Sequence, residues 1–129
     1  PDEAAQATTA NDFDAVMYLG LKIENSSHSQ TNYFSSPGFL SEGGYRLAHH
    51  CATGLDHALR SSDVPPTEAA GRQVPVLRQT RMPAVLCTLA PPSAVVLATA
   101  EIADALATAI TRWVANPTAD PDQAPPVED

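Results

Sequence analysis

The sequence predicts an α/β fold in which short strands alternate with amphipathic helices. Two apolar runs, at residues 13–19 and 84–89, contain strand-forming residues and are too short for stable helices. Two longer segments repeat apolar residues at helical spacing. The chain has 129 residues, of which 43% are hydrophobic, and this favours one domain with its own core.

The first half of the chain contains two predicted strands and one predicted helix. Residues 1–11 are small and polar and predict a flexible acidic leader. Strands are predicted at residues 13–19 and 31–34, and Ser41 is in position to cap a helix over residues 42–60. Gly43 and Gly44 weaken the start of that helix. The apolar face of this helix is formed by Leu47, Cys51, Leu55, Ala58 and Leu59.

The second half predicts a loop, two strands and a long helix. Residues 61–72 are rich in proline and predict a loop, followed by strands at residues 74–77 and 84–89. Ser93 is a candidate cap for a helix that ends near residue 115. The apolar stripe of this helix contains Ile102, Leu106, Ile110, Trp113 and Val114. Residues 117–129 have almost no apolar side chains and predict a disordered tail.

The net charge of −8 comes from the two ends of the chain. Residues 1–14 contain four acidic and no basic residues, and so do residues 116–129. The residues between have seven of each, so the predicted domain is neutral. Clustered basic residues are needed to bind nucleic acid or an anionic membrane surface, so neither is an expected partner. No apolar run approaches the ~20 residues of a membrane-spanning helix.

The cysteine and histidine residues do not predict a metal site by themselves. Cys51 and Cys87 both lie in apolar patterns and are expected to be buried thiols, since two cysteines are too few for a disulfide scaffold. His50 and His57 share a helix face, but they would lie roughly 10 Å apart, which is too far for one ion. His49 points elsewhere, and no nucleophile elbow, P-loop or dinucleotide-binding motif is present.

The order of these segments resembles the second half of the zinc-dependent N-acetylmuramoyl-L-alanine amidases (the amidase_3 family). The resemblance is carried by FDAVMYLG, QTNYF and YRLAHHCATGLDHAL, and most specifically by VLRQTRMPAVL at residues 76–86. It implies an amidase-like domain over residues 12–116, with helices on both faces of its sheet. FDAVM and LRQTRMP are most similar to actinobacterial CwlM-type proteins, which are tied to the control of peptidoglycan synthesis.

The resemblance implies that the catalytic residues of the family are missing here. Active members hydrolyse the amide between muramic acid and L-alanine with a zinc ion held by two His and one Glu, and a second Glu acts in catalysis. Counting from Asp14 places the second zinc His at Gly20, which has no ligand atom. Counting from Pro83 places the catalytic Glu at Thr88, which cannot act as a carboxylate base. We therefore expect no catalytic residue, metal or cofactor, and His28 is the nearest substitute ligand.

The other zinc ligands belong to the first half of the family fold, which the match does not include. Half of the fold would expose a strand edge and an apolar helix face. A partner chain could supply the missing half, the fragment could dimerise, or the fold could be rebuilt. Any targeting signal would lie upstream of Pro1, so the sequence does not identify the compartment, and the resemblance implies the bacterial cytoplasm or the cell envelope.

Three functions follow from this comparison. The first is a non-catalytic amidase-like domain that regulates peptidoglycan metabolism by binding a protein or a muropeptide. The second is a zinc-dependent amidase completed by an upstream segment or a partner. The third is a small α/β interaction module unrelated to the cell wall, which a strand order unlike that of the amidases would favour.

Overall fold

The computed structural model describes residues 5, 8, 11, 17–36, 39–73, 77 and 82–115. Over these residues the elements are β1 (Tyr18–Ile23), β2 (Gln30–Ser36), β3 (Phe39–Leu40), α1 (Glu42–Ala58), β4 (Glu68–Arg72), β5 (Ala84–Leu89), α2 (Pro92–Leu97) and α3 (Thr99–Ala115). The predicted tail at 117–129 and most of the predicted leader at 1–11 lie outside the described residues.

The strands form one mixed sheet, and this confirms the predicted α/β class. Their order is β1-β5-β2-β4, and the short β3 pairs with the end of β2. β1 runs parallel to β5, and β2 runs antiparallel to β5 and parallel to β4. The last of the described strands therefore lies between the first two.

The two faces of the sheet have different surroundings because side chains alternate along each strand. Val85, Cys87 and Leu89 of β5 belong to the main core, together with residues of α1 and α3. Ala84 and Leu86 point to the other side, where they form a smaller cluster with Leu77. We call this second side the Thr88 face, defined by Gly20, Lys22, Leu86 and Thr88.

Helix α1 packs on the sheet through the predicted apolar face, since all five residues of that face are buried. The prediction that Ser41 caps α1 is confirmed, because its hydroxyl accepts a hydrogen bond from the Gly44 N–H at 3.2 Å. The helix nevertheless begins at Glu42, before the two glycines. A Cβ on Gly43 would lie 2.8 Å from Pro83 Cγ, so close packing against the chain before β5 requires glycine here.

Helix α3 packs against α1 with little space between the backbones. A Cβ on Gly54 would lie 3.1 Å from the Ala105 carbonyl oxygen, so small residues on both helices allow this approach. At the other end of the pair, the Trp113 indole Nε1–H donates to the Gly43 carbonyl at 3.1 Å. In a chain with only 5% aromatic residues, this part of the core is therefore built by close packing of small side chains.

Several strand predictions need correction. The first strand spans Tyr18–Ile23, so its end lies four residues beyond the predicted end at residue 19. The predicted loop at residues 61–72 contains strand β4. Of the predicted strand at 74–77 only Leu77 is described, and it is helical.

The predicted final helix also differs from the structure. It is two helices that meet at Ala98, and Ser93 lies inside α2, whose N-cap is Pro91. In the apolar stripe of α3, Ile102, Leu106 and Trp113 are buried as predicted. Ile110 is half-buried, and Val114 is 58% exposed because it points away from α1 and the sheet.

Candidate functional site

The Thr88 face contains a row of polar side chains that crosses all four main strands. Thr88 of β5 pairs with Lys22 of β1 on one side and with Gln30 of β2 on the other. Gln30 in turn pairs with Glu68 of β4. Because paired residues point to the same side of a sheet, these four side chains form one line, which we call the polar row.

Contacts within the polar row fix some of its groups. The Gln30 side-chain amide donates to Glu68 Oε1 at 3.3 Å, and His28 Nε2 lies 3.6 Å from the same oxygen. At the other end, Lys22 Nζ forms an ion pair of 2.9 Å with Glu24 Oε2. Thr88 lies in the middle and is only 7% exposed, whereas Lys22 and Glu68 reach solvent. The row therefore has a buried hydroxyl at its centre and charged groups at both ends.

Gly20 lies next to this row, inside β1 and level with Leu86. A Cβ on Gly20 would lie 3.1 Å from Leu86 Cδ1, 3.1 Å from Tyr18 Cε1 and 3.2 Å from the Tyr18 hydroxyl. The space above Gly20 is therefore already occupied by the side chains of Tyr18 and Leu86. A larger residue here would require both neighbours to move.

The pairing of β1 with β5 shows where Gly20 and Thr88, the two positions identified by the motif count, lie relative to each other. The motif count places Gly20 just after the predicted strand, but the structure places it in the middle of β1. Gly20 and Thr88 share a face, but Lys22 is the residue opposite Thr88. Glycine has no ligand atom, and the lysine ammonium has no lone pair for a metal. Neither β1 residue could hold zinc beside Thr88.

His28 is the remaining candidate ligand, and its surroundings do not fit a zinc site. Besides its contact with Glu68, His28 Nδ1 lies 3.1 Å from the Ser27 hydroxyl. One histidine and one carboxylate are fewer than the three protein ligands of a catalytic zinc. Within the part of the chain that the structure describes, no three His, Cys, Asp or Glu side chains form a group that could hold a metal ion.

A second polar cluster lies between α1 and α3, away from the polar row. Burial lowers the pKa of His50, and the nearby charges of Arg112, His49 and Arg46 lower it further. Arg46 also forms a long ion pair of 3.7 Å with Glu42. This cluster destabilises the protonated form of His50, so it bears on stability at acidic pH.

Three members of the polar row, Lys22, Gln30 and Glu68, were not among the residues that the sequence pattern marked as candidates. Glu68 lies in a segment predicted to be a loop, and Gln30 precedes the predicted second strand. In the sequence, Gln30 is marked as a residue of the polar side of a strand only by its alternation with Asn32. In the structure, the Asn32 side-chain amide donates to the Ala70 carbonyl at 3.2 Å. Gln30 and Asn32 both belong to the polar side of β2.

Comparison with known proteins identifies the fold. No family sequence model and no curated protein sequence matches the chain. Among solved structures, the chain matches an N-acetylmuramoyl-L-alanine amidase from Clostridium difficile 630 with a TM-score of 0.73 and 18% identity, over 90% of this chain and 67% of the amidase. The arrangement described above is therefore the α/β fold of these amidases.

Two further amidases support this assignment. The Ami1 amidase from Mycobacterium smegmatis matches with a TM-score of 0.67 and 17% identity, over 89% of this chain and 61% of Ami1. The CwlD amidase from Clostridioides difficile, solved in complex with the GerS lipoprotein, matches with a TM-score of 0.62 and 17% identity, over 88% of this chain and 60% of CwlD. The chain thus spans about two thirds of the length of these structures.

None of the described helices is long and apolar enough to cross a membrane.

Proposed function

We propose that this chain is a non-catalytic amidase-like domain that acts in peptidoglycan metabolism by binding a muropeptide or a protein partner. The observation that carries the proposal is the chemistry around Gly20 and Thr88. The first position has no ligand atom and is covered by Tyr18 and Leu86, and the second provides a hydroxyl instead of a carboxylate. A fold shared with hydrolases therefore has neither a zinc ligand nor a carboxylate at the two positions where the resemblance implies catalytic groups.

The polar row offers suitable chemistry for a muropeptide. Stem peptides carry amide and carboxylate groups, which pair with hydroxyl, amide and ammonium side chains. Lys22 provides an exposed ammonium, and the Gln30 amide is held by Glu68. Groups already fixed in the free protein lose less entropy when a ligand binds.

Release of stem peptide from purified peptidoglycan, with and without added zinc, tests the non-catalytic part. We expect no release from this chain under conditions in which the Clostridium difficile 630 amidase serves as the positive control. Zinc-dependent release that a chelator abolishes would show that this part of the proposal is wrong.

Co-sedimentation with purified cell-wall sacculi tests the binding part. We expect the wild-type chain to sediment with the sacculi, and Lys22→Ala and Gln30→Ala to reduce the bound fraction. Thr108→Ala is the matched control, because Thr108 is exposed on α3, away from the Thr88 face. Equal binding by all variants would remove the polar row as the site, and no binding by the wild type would leave a protein as the ligand to be sought.

The alternative of an amidase completed by another segment or chain has one structural observation in its favour. Among the described residues β1 pairs on one side only, and its Leu21 and Ile23 side chains are 55% and 56% exposed. An open strand edge fits a further strand, and the exposed apolar side chains beside it fit a further packed element. Metal analysis of the complete assembly is the test, and absence of stoichiometric zinc would exclude this alternative.

The remaining hypothesis, a module unrelated to the cell wall, depended on a strand order unlike that of the amidases. The structure does not meet that condition, since it matches several amidases over most of the chain.

A further inference from the structure

The two cysteines of the chain lie on facing elements in the centre of the main core. Cys51 belongs to the buried face of α1, and Cys87 lies on the side of β5 that faces the helices. Both residues are completely buried, and both are free thiols. The expectation that each is a buried thiol is confirmed, but the sequence pattern did not show that they are neighbours.

Thr31 provides an independent measure of how close the two elements are at this level. It is the cross-strand partner of Cys87 on β2, and its hydroxyl donates to the Ala48 carbonyl of α1 at 2.9 Å. Cys51 follows Ala48 by three residues, which is about one helical turn. The backbone of α1 therefore lies directly over the part of the sheet that contains Cys87.

Both cysteine side chains belong to the same cluster of buried residues. A side-chain hydrogen bond with Cys51, together with burial, raises the pKa of the Cys87 thiol above its ordinary value. The Cys87 thiol is thus kept protonated and uncharged in the folded domain. Cys51 and Cys87 are also the only cysteines in the chain, so neither has another partner within it.

We propose that Cys51 and Cys87 are a redox pair that forms an intramolecular disulfide when the domain folds in the presence of a disulfide oxidant such as oxidised glutathione. The thiolate of one cysteine attacks the oxidant, forms a mixed disulfide and releases one glutathione thiolate. The thiolate of the second cysteine then attacks the protein sulfur of the mixed disulfide and releases the second glutathione. Two electrons pass to the oxidant, and the two thiol protons pass through solvent to the released glutathione thiolates.

Burial determines when this exchange takes place. An oxidant cannot reach either sulfur in the folded domain, and only a thiolate attacks a disulfide. Exchange therefore takes place before the core closes, and the folded domain then preserves whichever state was formed. The proposal depends on the core alone and does not rest on the proposed cell-wall function.

Refolding under two redox conditions tests the proposal. The full chain is refolded from denaturant either with a mixture of oxidised and reduced glutathione or with dithiothreitol, and its thiols are then alkylated in denaturant. After oxidative refolding we expect the monomer to lose both alkylatable thiols, and mass spectrometry to find the peptides of Cys51 and Cys87 linked. Two free thiols in the oxidatively refolded monomer, or disulfides only between chains, would overturn the proposal.

The second measurement tests whether the thiols of the native protein are protected from oxidation. The dithiothreitol-refolded protein is exposed to oxidised glutathione without denaturant, and we expect both thiols to survive. Rapid formation of the disulfide in the native protein would contradict the proposed protection by the core. Cys51→Ala is the matched control, since its remaining Cys87 thiol can form only a mixed disulfide with glutathione, which adds the mass of glutathione and links no peptides. If this variant does not fold, peptide mapping of the wild type still decides the question.

Discussion

Docking of α3 on the core is tested by shortening Leu106, which is 6% exposed. Leu106→Ala removes about three methylene-sized groups, and at about 0.8 kcal/mol each the transfer free energy alone is about 2.4 kcal/mol. The cavity left in a packed core raises the expected loss to about 2–5 kcal/mol. For a domain of this size, the melting temperature should fall by at least about 8 °C.

The same helix supplies two matched comparisons for the Leu106 experiment. Ile110 lies one turn further along α3 and is half-buried, so Ile110→Ala should cost about 1 kcal/mol. Val114 is 58% exposed, and Val114→Ala should change stability by less than about 0.5 kcal/mol. Urea unfolding followed by circular dichroism gives the three values. Equal costs at the three positions, or an unchanged midpoint for Leu106→Ala, would refute the described packing of α3.

Three further substitutions test local features by the same urea assay. Ser41→Ala removes the α1 cap and should cost about 0.5–2 kcal/mol, whereas a cost near zero would show that the hydroxyl does not cap the helix. Trp113→Phe keeps an aromatic ring but loses the indole N–H bond to Gly43, and a loss of about 1 kcal/mol is expected, with no loss contradicting that bond. The pKa of His50 lies below its ordinary value of 6.5 in the folded state, so its protonation favours unfolding and stability falls as the pH drops below about 6.5. Wild-type stability should therefore fall more than that of His50→Gln between about pH 7.5 and about pH 5.5, and parallel curves would contradict the effect.

Elements with a strong repeating pattern were predictable from the sequence. The apolar face of α1 recurs at helical spacing, and its residues are buried in the core. Strand β5 is apolar except for Thr88, and all six of its residues are buried. In both elements the local pattern and the final packing favour the same structure.

Strand β4 could not be predicted, because its sequence EAAGR has no β-branched or aromatic residue. Its extended conformation depends on parallel pairing with β2 and on the hydrogen bond from the Asn32 side chain to Ala70. A Cβ on Gly71 would clash with Ser35, so glycine allows the two strands to approach. These are tertiary contacts, which a local pattern does not contain.

Two positions of the candidate site were predictable from the sequence, but the pairing of the strands that brings residues together around them was not. Counting along the motif identified Gly20 and Thr88, and the structure places both on one face of the sheet. The count could not show that Lys22 is the residue opposite Thr88, or that Tyr18 and Leu86 cover Gly20. Pairing register depends on two strands that are more than sixty residues apart.

The position of β5 also determines the order in which the domain can be assembled during synthesis. β1 and β2 are translated before β5, the strand that joins them. During synthesis, the edges of β1 and β2 that pair with β5 therefore remain unpaired until Leu89 has left the ribosome. Pairing over such sequence separations is slow, because a long loop must close before any contact is gained. A chain that stops before residue 84 would thus lose the connection between β1 and the rest of the sheet, and not merely one strand.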